Sequence, residues 1–114
     1  MPIFERPEDF EEALRSATAS ALPGAPVRRI RRTIVSVKLR IDLEAELFVD
    51  AFFNARNQRT DLSLVAGDRR IFGYDNLGGW HRHPVDGPDR HEDCPAPTLM
   101  QFLLEVVSLR QRGR

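Results

Sequence analysis

A single cysteine among 114 residues rules out an internal disulfide and with it the small disulfide-stapled secreted scaffolds. It fits a reducing cytoplasm, which is the location expected for the chain. Long apolar runs are lacking too: the longest, near Leu99 to Leu109, is broken by Gln101, Glu105 and Ser108. No basic-then-apolar leader opens the chain, so neither membrane insertion nor secretion is expected. Net charge is also missing, because 17 basic residues balance 17 acidic ones, and nothing global favours nucleic acid. Tryptophan and tyrosine occur once each and histidine three times.

The composition that remains, 41% hydrophobic and 30% charged, is that of a soluble globular protein. The length supports one core and therefore one domain over residues 1–114. Charge is balanced globally but not locally. Glu5, Glu8, Asp9, Glu11 and Glu12 crowd the start, whereas Arg28, Arg29, Arg31, Arg32, Lys38 and Arg40 follow without an acid between them. Clustered guanidiniums neutralise phosphates, but arginines at a strand entrance equally make a solvated edge that blocks unwanted pairing. Arg56 and Arg59 carry the same ambiguity.

Hydrophobic periodicity gives the elements. Pro7 suits a first helical position, acids follow it, and Phe10, Ala13, Leu14, Ala17 and Ala21 recur at helical spacing, which predicts a helix from about Pro7 to Leu22, stopped by Pro23-Gly24. From Thr33 the period becomes two, with Val35, Val37, Leu39, Ile41 and Leu43 on one face. Strands are predicted over about 30–43, 46–54, 60–66 and 69–75, the last two joined through Gly67-Asp68. Phe48, Phe52 and Phe53 read as core rather than as platforms for bases. Thr98 and Gln101 form a capping-box pattern that opens a helix over about 98–112, with Gly113 as its stop and Arg110, Arg112 and Arg114 suited to its C-terminus. The expected fold is α+β: a four-stranded antiparallel meander with an N-terminal and a C-terminal helix packed on it.

The scarce side chains are not scattered. Tyr74, Trp80, His81, His83, His91 and Cys94 all fall within or just after the last predicted strand, most of them in a glycine- and proline-rich loop over about 76–97. Such concentration marks the segment as the place to seek function. In an extended Trp80-His81-Arg82-His83 segment the two histidines point one way and Arg82 the other. Paired imidazoles can supply the base and the acid of metal-independent RNA cleavage, while Arg82 or Arg90 holds a phosphate and Asp75 orients an imidazole. His91 joins this catalytic set. The same residues allow a zinc site of His81, His83, His91 and Cys94, although their spacing matches no common finger. A third possibility is that the loop is structural, its imidazoles bonded to backbone carbonyls, with Asp75-Asn76 as turn residues and Cys94 as a small buried side chain.

Arg70-Ile-Phe-Gly-Tyr-Asp-Asn, the glycine-aromatic-His-x-His-Pro loop, the later His-x-x-Cys and the closing Pro-Thr-Leu helix together resemble proteins of the TumE type, the toxin halves of prokaryotic toxin–antitoxin pairs. The resemblance spans about residues 33 to 109. It implies a cytoplasmic α+β protein, paired with a small antitoxin, that acts on RNA or translation. Carried over by position, it marks Asp75, Asn76, His81, His83 and His91, with Arg70 at the start of the motif. The resulting expectation is a toxin-like ribonuclease in which Arg70, Asn76, Arg82 and Arg90 bind substrate and no cofactor is used. The alternative is a noncatalytic assembly domain, including a homodimer, or the zinc protein.

Overall fold

The computed structural model describes residues 3–112. The first element is helix α1 (Pro7–Ala21), with proline in its first turn and Glu8 and Asp9 placed to favour the positive end of its dipole. The Leu22 N–H closes the last turn on the Thr18 carbonyl at 2.8 Å, and Gly24, at φ 85°, lets the chain reverse where other residues would be strained. Phe10, Leu14 and Thr18 form the buried stripe of α1.

Seven strands follow: β1 (Val27–Arg32), β2 (Ser36–Glu44), β3 (Leu47–Asn54), β4 (Arg59–Ala66), β5 (Arg69–Asp75), β6 (His81–His83) and β7 (Glu92–Asp93). They form one sheet in sequence order, each antiparallel to the next. The fold is thus α+β with two helices, but the meander has seven strands and not the expected four.

Two local causes account for the difference. Thr33 turns the chain back between β1 and β2, its hydroxyl accepting the Val35 and Ser36 N–H groups at 3.2 and 3.0 Å. The arginine run is therefore a separate edge strand rather than the entrance to β2. In the presumed loop, Gly78 and Gly79 adopt φ 71° and 112°, and this turn sends residues 81–83 back along β5. The short β7 then pairs with β6.

Alternation sorts the sheet into two faces. Val37, Leu39, Ile41, Val49, Ala51, Phe53, Leu62, Leu64, Phe72 and Tyr74 project to one side, where they are buried beneath α1 and helix α2 (Leu99–Arg112). Phe10 stacks on Phe53 at 5.1 Å between ring centroids, and Phe102 of α2 stacks on Phe72 at 6.0 Å. Burying each such ring contributes roughly 1.5–3 kcal/mol.

Thr98 and Gln101 form a reciprocal cap at the start of α2: the Gln101 N–H reaches the Thr98 hydroxyl at 2.9 Å and the Thr98 N–H reaches the Gln101 amide oxygen at 3.4 Å. Near its other end Arg110 donates to Glu44 and to the Leu43 carbonyl, both at 3.1 Å. The expected helix stop at Gly113, and Arg114, lie outside the described residues. Among those described, no helix is long and apolar enough to cross a membrane.

Candidate functional site

The side of the sheet away from the helices carries the polar residues, in rows that cross the strands. One row runs Arg31, Lys38, Phe52, Asp61, Asp75, His81, Asp93, from β1 to β7. The adjacent row runs Arg28, Arg40, Asp50, Ser63, Gly73, His83. His81 and His83 therefore share this open face with Asp75, and His91 folds onto it edge-on to both imidazoles, with centroids 5.7 Å from His81 and 4.5 Å from His83.

The three histidines have unequal access. His83 is wholly buried. Its Nε2 lies 2.5 Å from an Asp75 carboxylate oxygen and its Nδ1 lies 3.3 Å from the Pro88 carbonyl, on the 84–90 segment that folds over the ring. Both nitrogens thus face acceptors, so neither is free for a reacting group. Burial pushes the Asp75 carboxyl up, but hydrogen bonds from His83 and the Leu77 N–H outweigh it and hold the group below the ordinary carboxylate range. His81 is partly exposed, with Nε2 3.2 Å from the outermost carboxylate, Asp93. His91 is exposed.

A tight approach of β4 and β5 makes room for this arrangement. Gly73 is paired with His83 across the ladder, and a Cβ at this position would sit 2.3 Å from the Leu62 carbonyl oxygen. The same point lies 3.3 Å from the Arg70 side chain, so the stem of Arg70 crosses the open face beside the His83 strand pair.

Other residues expected at a site lie elsewhere. Arg82 projects to the helix side, donates to Glu105 at 3.2 Å, approaches Glu92 at 3.6 Å and covers the Phe72 ring at 5.0 Å. Its role there is to tie α2 to the sheet. Tyr74 donates to the other Glu105 oxygen at 2.5 Å, and burial reinforced by that carboxylate pushes its hydroxyl up to about 12. Arg90 is exposed and bonds Asp86 at 2.8 Å within the covering segment. Asn76 spends its amide on the backbone, accepting from the Thr60 N–H and donating to the Gln58 carbonyl, both at 2.8 Å.

The four residues of the zinc alternative are split by the sheet. Trp80 and Cys94 pack against the core on the helix side, whereas His81, His83 and His91 occupy the open face. Burial raises the Cys94 thiol above its usual range, which disfavours the thiolate that a metal needs. Among the described residues, no three His, Cys, Asp or Glu side chains are arranged to hold a metal ion. Alternation across β6 and β7 is the cause: Cys94 follows Asp93 and so faces the opposite way.

Sequence reasoning missed part of the open face. Phe48 and Phe52, read as core, are half-buried on this side, while Val49, Ala51 and Phe53 point inward. The period-two pattern within Leu47-Phe-Val-Asp-Ala-Phe-Phe was the available signal, with Asp50 marking the outward phase. Comparison with family models, curated proteins and solved structures gives no match for this chain.

Proposed function

We propose that the chain is a toxin-like, metal-independent ribonuclease whose two accessible imidazoles, His81 and His91, share the proton transfers. The reading rests above all on the clustering of three imidazoles and one buried carboxylate on a single face, with two of the rings reachable from solvent. Of the expected acid–base pair only His81 keeps its role, with His91 as its partner, because His83 is sealed between Asp75 and the Pro88 carbonyl. Asp75 and His83 are positioning residues that anchor the segment carrying His91.

The chemistry follows from the free nitrogens. Asp93 favours a proton on His81 Nε2, leaving Nδ1 with a lone pair, so His81 takes the proton of a ribose 2′-hydroxyl. The 2′-oxygen forms a bond to phosphorus, the bond to the 5′-oxygen breaks, and His91 as imidazolium gives that leaving oxygen a proton. The products are a cyclic phosphate and a 5′-hydroxyl, and no metal or redox partner enters the balance. Arg70, whose stem crosses beside Gly73, is the cation nearest the histidines on this face that can meet the phosphate, whereas Arg90, exposed on the covering segment, is engaged by Asp86. In this reading the chain acts in the cytoplasm and is restrained by an antitoxin protein, as the TumE-like resemblance implies.

The test is cleavage of a single-stranded RNA by purified chain in excess chelator, read beside growth arrest on expression. His81→Ala and His91→Ala each abolish both, whereas His83→Gln retains activity in the fraction that stays folded. Full activity in the His81→Ala, His91→Ala double variant rejects the assignment.

A further inference from the structure

A groove of about 380 Å³ lies on the open face, on the β1 to β5 side of the histidines. Its volume falls in the range of small-ligand sites, roughly 300–1,000 Å³. Four cations line it, Arg31, Lys38, Arg59 and Arg70, against two carboxylates. Both carboxylates already have partners: Asp50 receives a two-pronged bond from Arg40 at 2.8 and 3.2 Å, and Asp61 accepts from the Ser63 hydroxyl at 2.7 Å.

Among the cations, Lys38 and Arg59 approach Asp50 and Asp61, each at 3.8 Å, and the other two are less well satisfied. Arg31 and Arg70 enter no ion pair or hydrogen bond among the described residues. The Arg59 Nε is buried and has no hydrogen-bond partner among them, and leaving such a donor unpaired is costly. Between these guanidiniums Phe52 offers a half-buried ring on the solvent side.

We infer that this groove binds single-stranded RNA, with a base stacked on Phe52 and backbone phosphates held by Arg31, Arg59 and Arg70. The inference rests on the ribonuclease reading and adds to it a track along which substrate reaches the histidines. Phe52 and His81 stand in the same cross-strand row, three strands apart, which is about 14 Å at the usual strand spacing. An extended strand can lie on the ring and reach the imidazoles together. Single-strandedness follows from the ring, because a base can stack on Phe52 only when its face is unpaired, and a duplex hides its base faces. Asp61 and Asp75 sit between the two ends of the track and direct phosphates toward its arginine rim.

Binding of a short fluorescent single-stranded RNA to the full chain, followed by anisotropy in chelator over a salt series, tests the inference. Glutamine substitutions keep the arginine stems, so Arg31→Gln, Arg70→Gln should fold, weaken binding at least tenfold and make it less salt-dependent by about one to two phosphate contacts. Phe52→Leu should weaken binding roughly tenfold without altering the salt dependence. His81→Ala, His91→Ala should fail to cleave, and the binding it keeps should still fall at least tenfold when Arg31→Gln, Arg70→Gln are added. Unchanged affinity in the double glutamine variant, or equal affinity for a duplex of the same sequence, overturns the groove even if cleavage depends on the histidines. Groove-dependent binding by a chain that never cleaves RNA upholds the track and rejects the ribonuclease reading.

Discussion

His81 and Arg82 are neighbours in the chain whose side chains leave opposite faces of the sheet: His81 meets Asp93 on the open side and Arg82 meets Glu105 beneath α2. One peptide unit thus separates a residue proposed for chemistry from one that holds the fold. Arg82→Ala should lower stability by about 1–2 kcal/mol, since it removes charge-assisted bonds and the cover over Phe72, yet leave RNA binding and cleavage per folded molecule intact. Urea denaturation beside a cleavage assay checks this. Loss of cleavage without loss of stability would move Arg82 to the site.

The Asp75–His83 pair predicts a larger effect. His83 is wholly buried and Asp75 nearly so, and removing one member of such a pair leaves the other unsatisfied. Asp75→Asn and His83→Ala should each cost on the order of 3 kcal/mol, and the double variant should lose much less than the sum. Equilibrium unfolding of the four proteins measures the coupling, and simple additivity would contradict the pairing.

Acid should erase that contribution. The folded Asp75 carboxyl lies below its unfolded value, so its stabilising effect is complete above the unfolded value of about 3.9 and fades as pH falls through the folded one. The stability gap between the unaltered chain and Asp75→Asn should therefore hold from neutral pH to about 5 and close below about 4. Thermal unfolding across this range checks the sign. A gap that widened on acidification would place the carboxyl above its ordinary range.

Gly73 is predicted to be the least replaceable glycine among the described residues. A Cβ there meets the Leu62 carbonyl oxygen at 2.3 Å, and the obstacle is backbone in the neighbouring strand. Gly73→Ala should therefore cost at least about 2 kcal/mol, in the range of overpacked cores. Gly78→Ala, at φ 71° with open space around it, should cost only about 1–2 kcal/mol from its left-handed backbone. Chemical denaturation of the two variants compares them, and equal losses would mean that β4 can yield at this point.

Much of the fold was legible in local pattern. Val37, Leu39 and Ile41 alternate with charged residues because one face of β2 is buried, and Thr98 with Gln101 reveals the start of α2 because both halves of the cap lie within one turn. The edge strand was not legible. Almost every β1 residue is exposed, so no apolar alternation marks it, and three of its arginines, Arg28, Arg29 and Arg32, pair with Asp42, Glu11 and Glu8 on other elements.

The histidine segment was half legible. Alternation placed His81 and His83 on one side, but β6 has three residues and β7 two, and their pairing depends on the turn at Gly78 and Gly79 rather than on hydrophobic pattern. Burial of His83 and exposure of His91 come from the 84–90 segment folding back so that the Pro88 carbonyl meets the ring, an arrangement that residue spacing does not encode.

Chelator-resistant cleavage of single-stranded RNA is the most direct check on the division of labour among the imidazoles. With each variant normalised to its folded fraction, His91→Ala should be inactive and His83→Gln should retain activity. An inactive, fully folded His83→Gln beside an active His91→Ala would contradict the account.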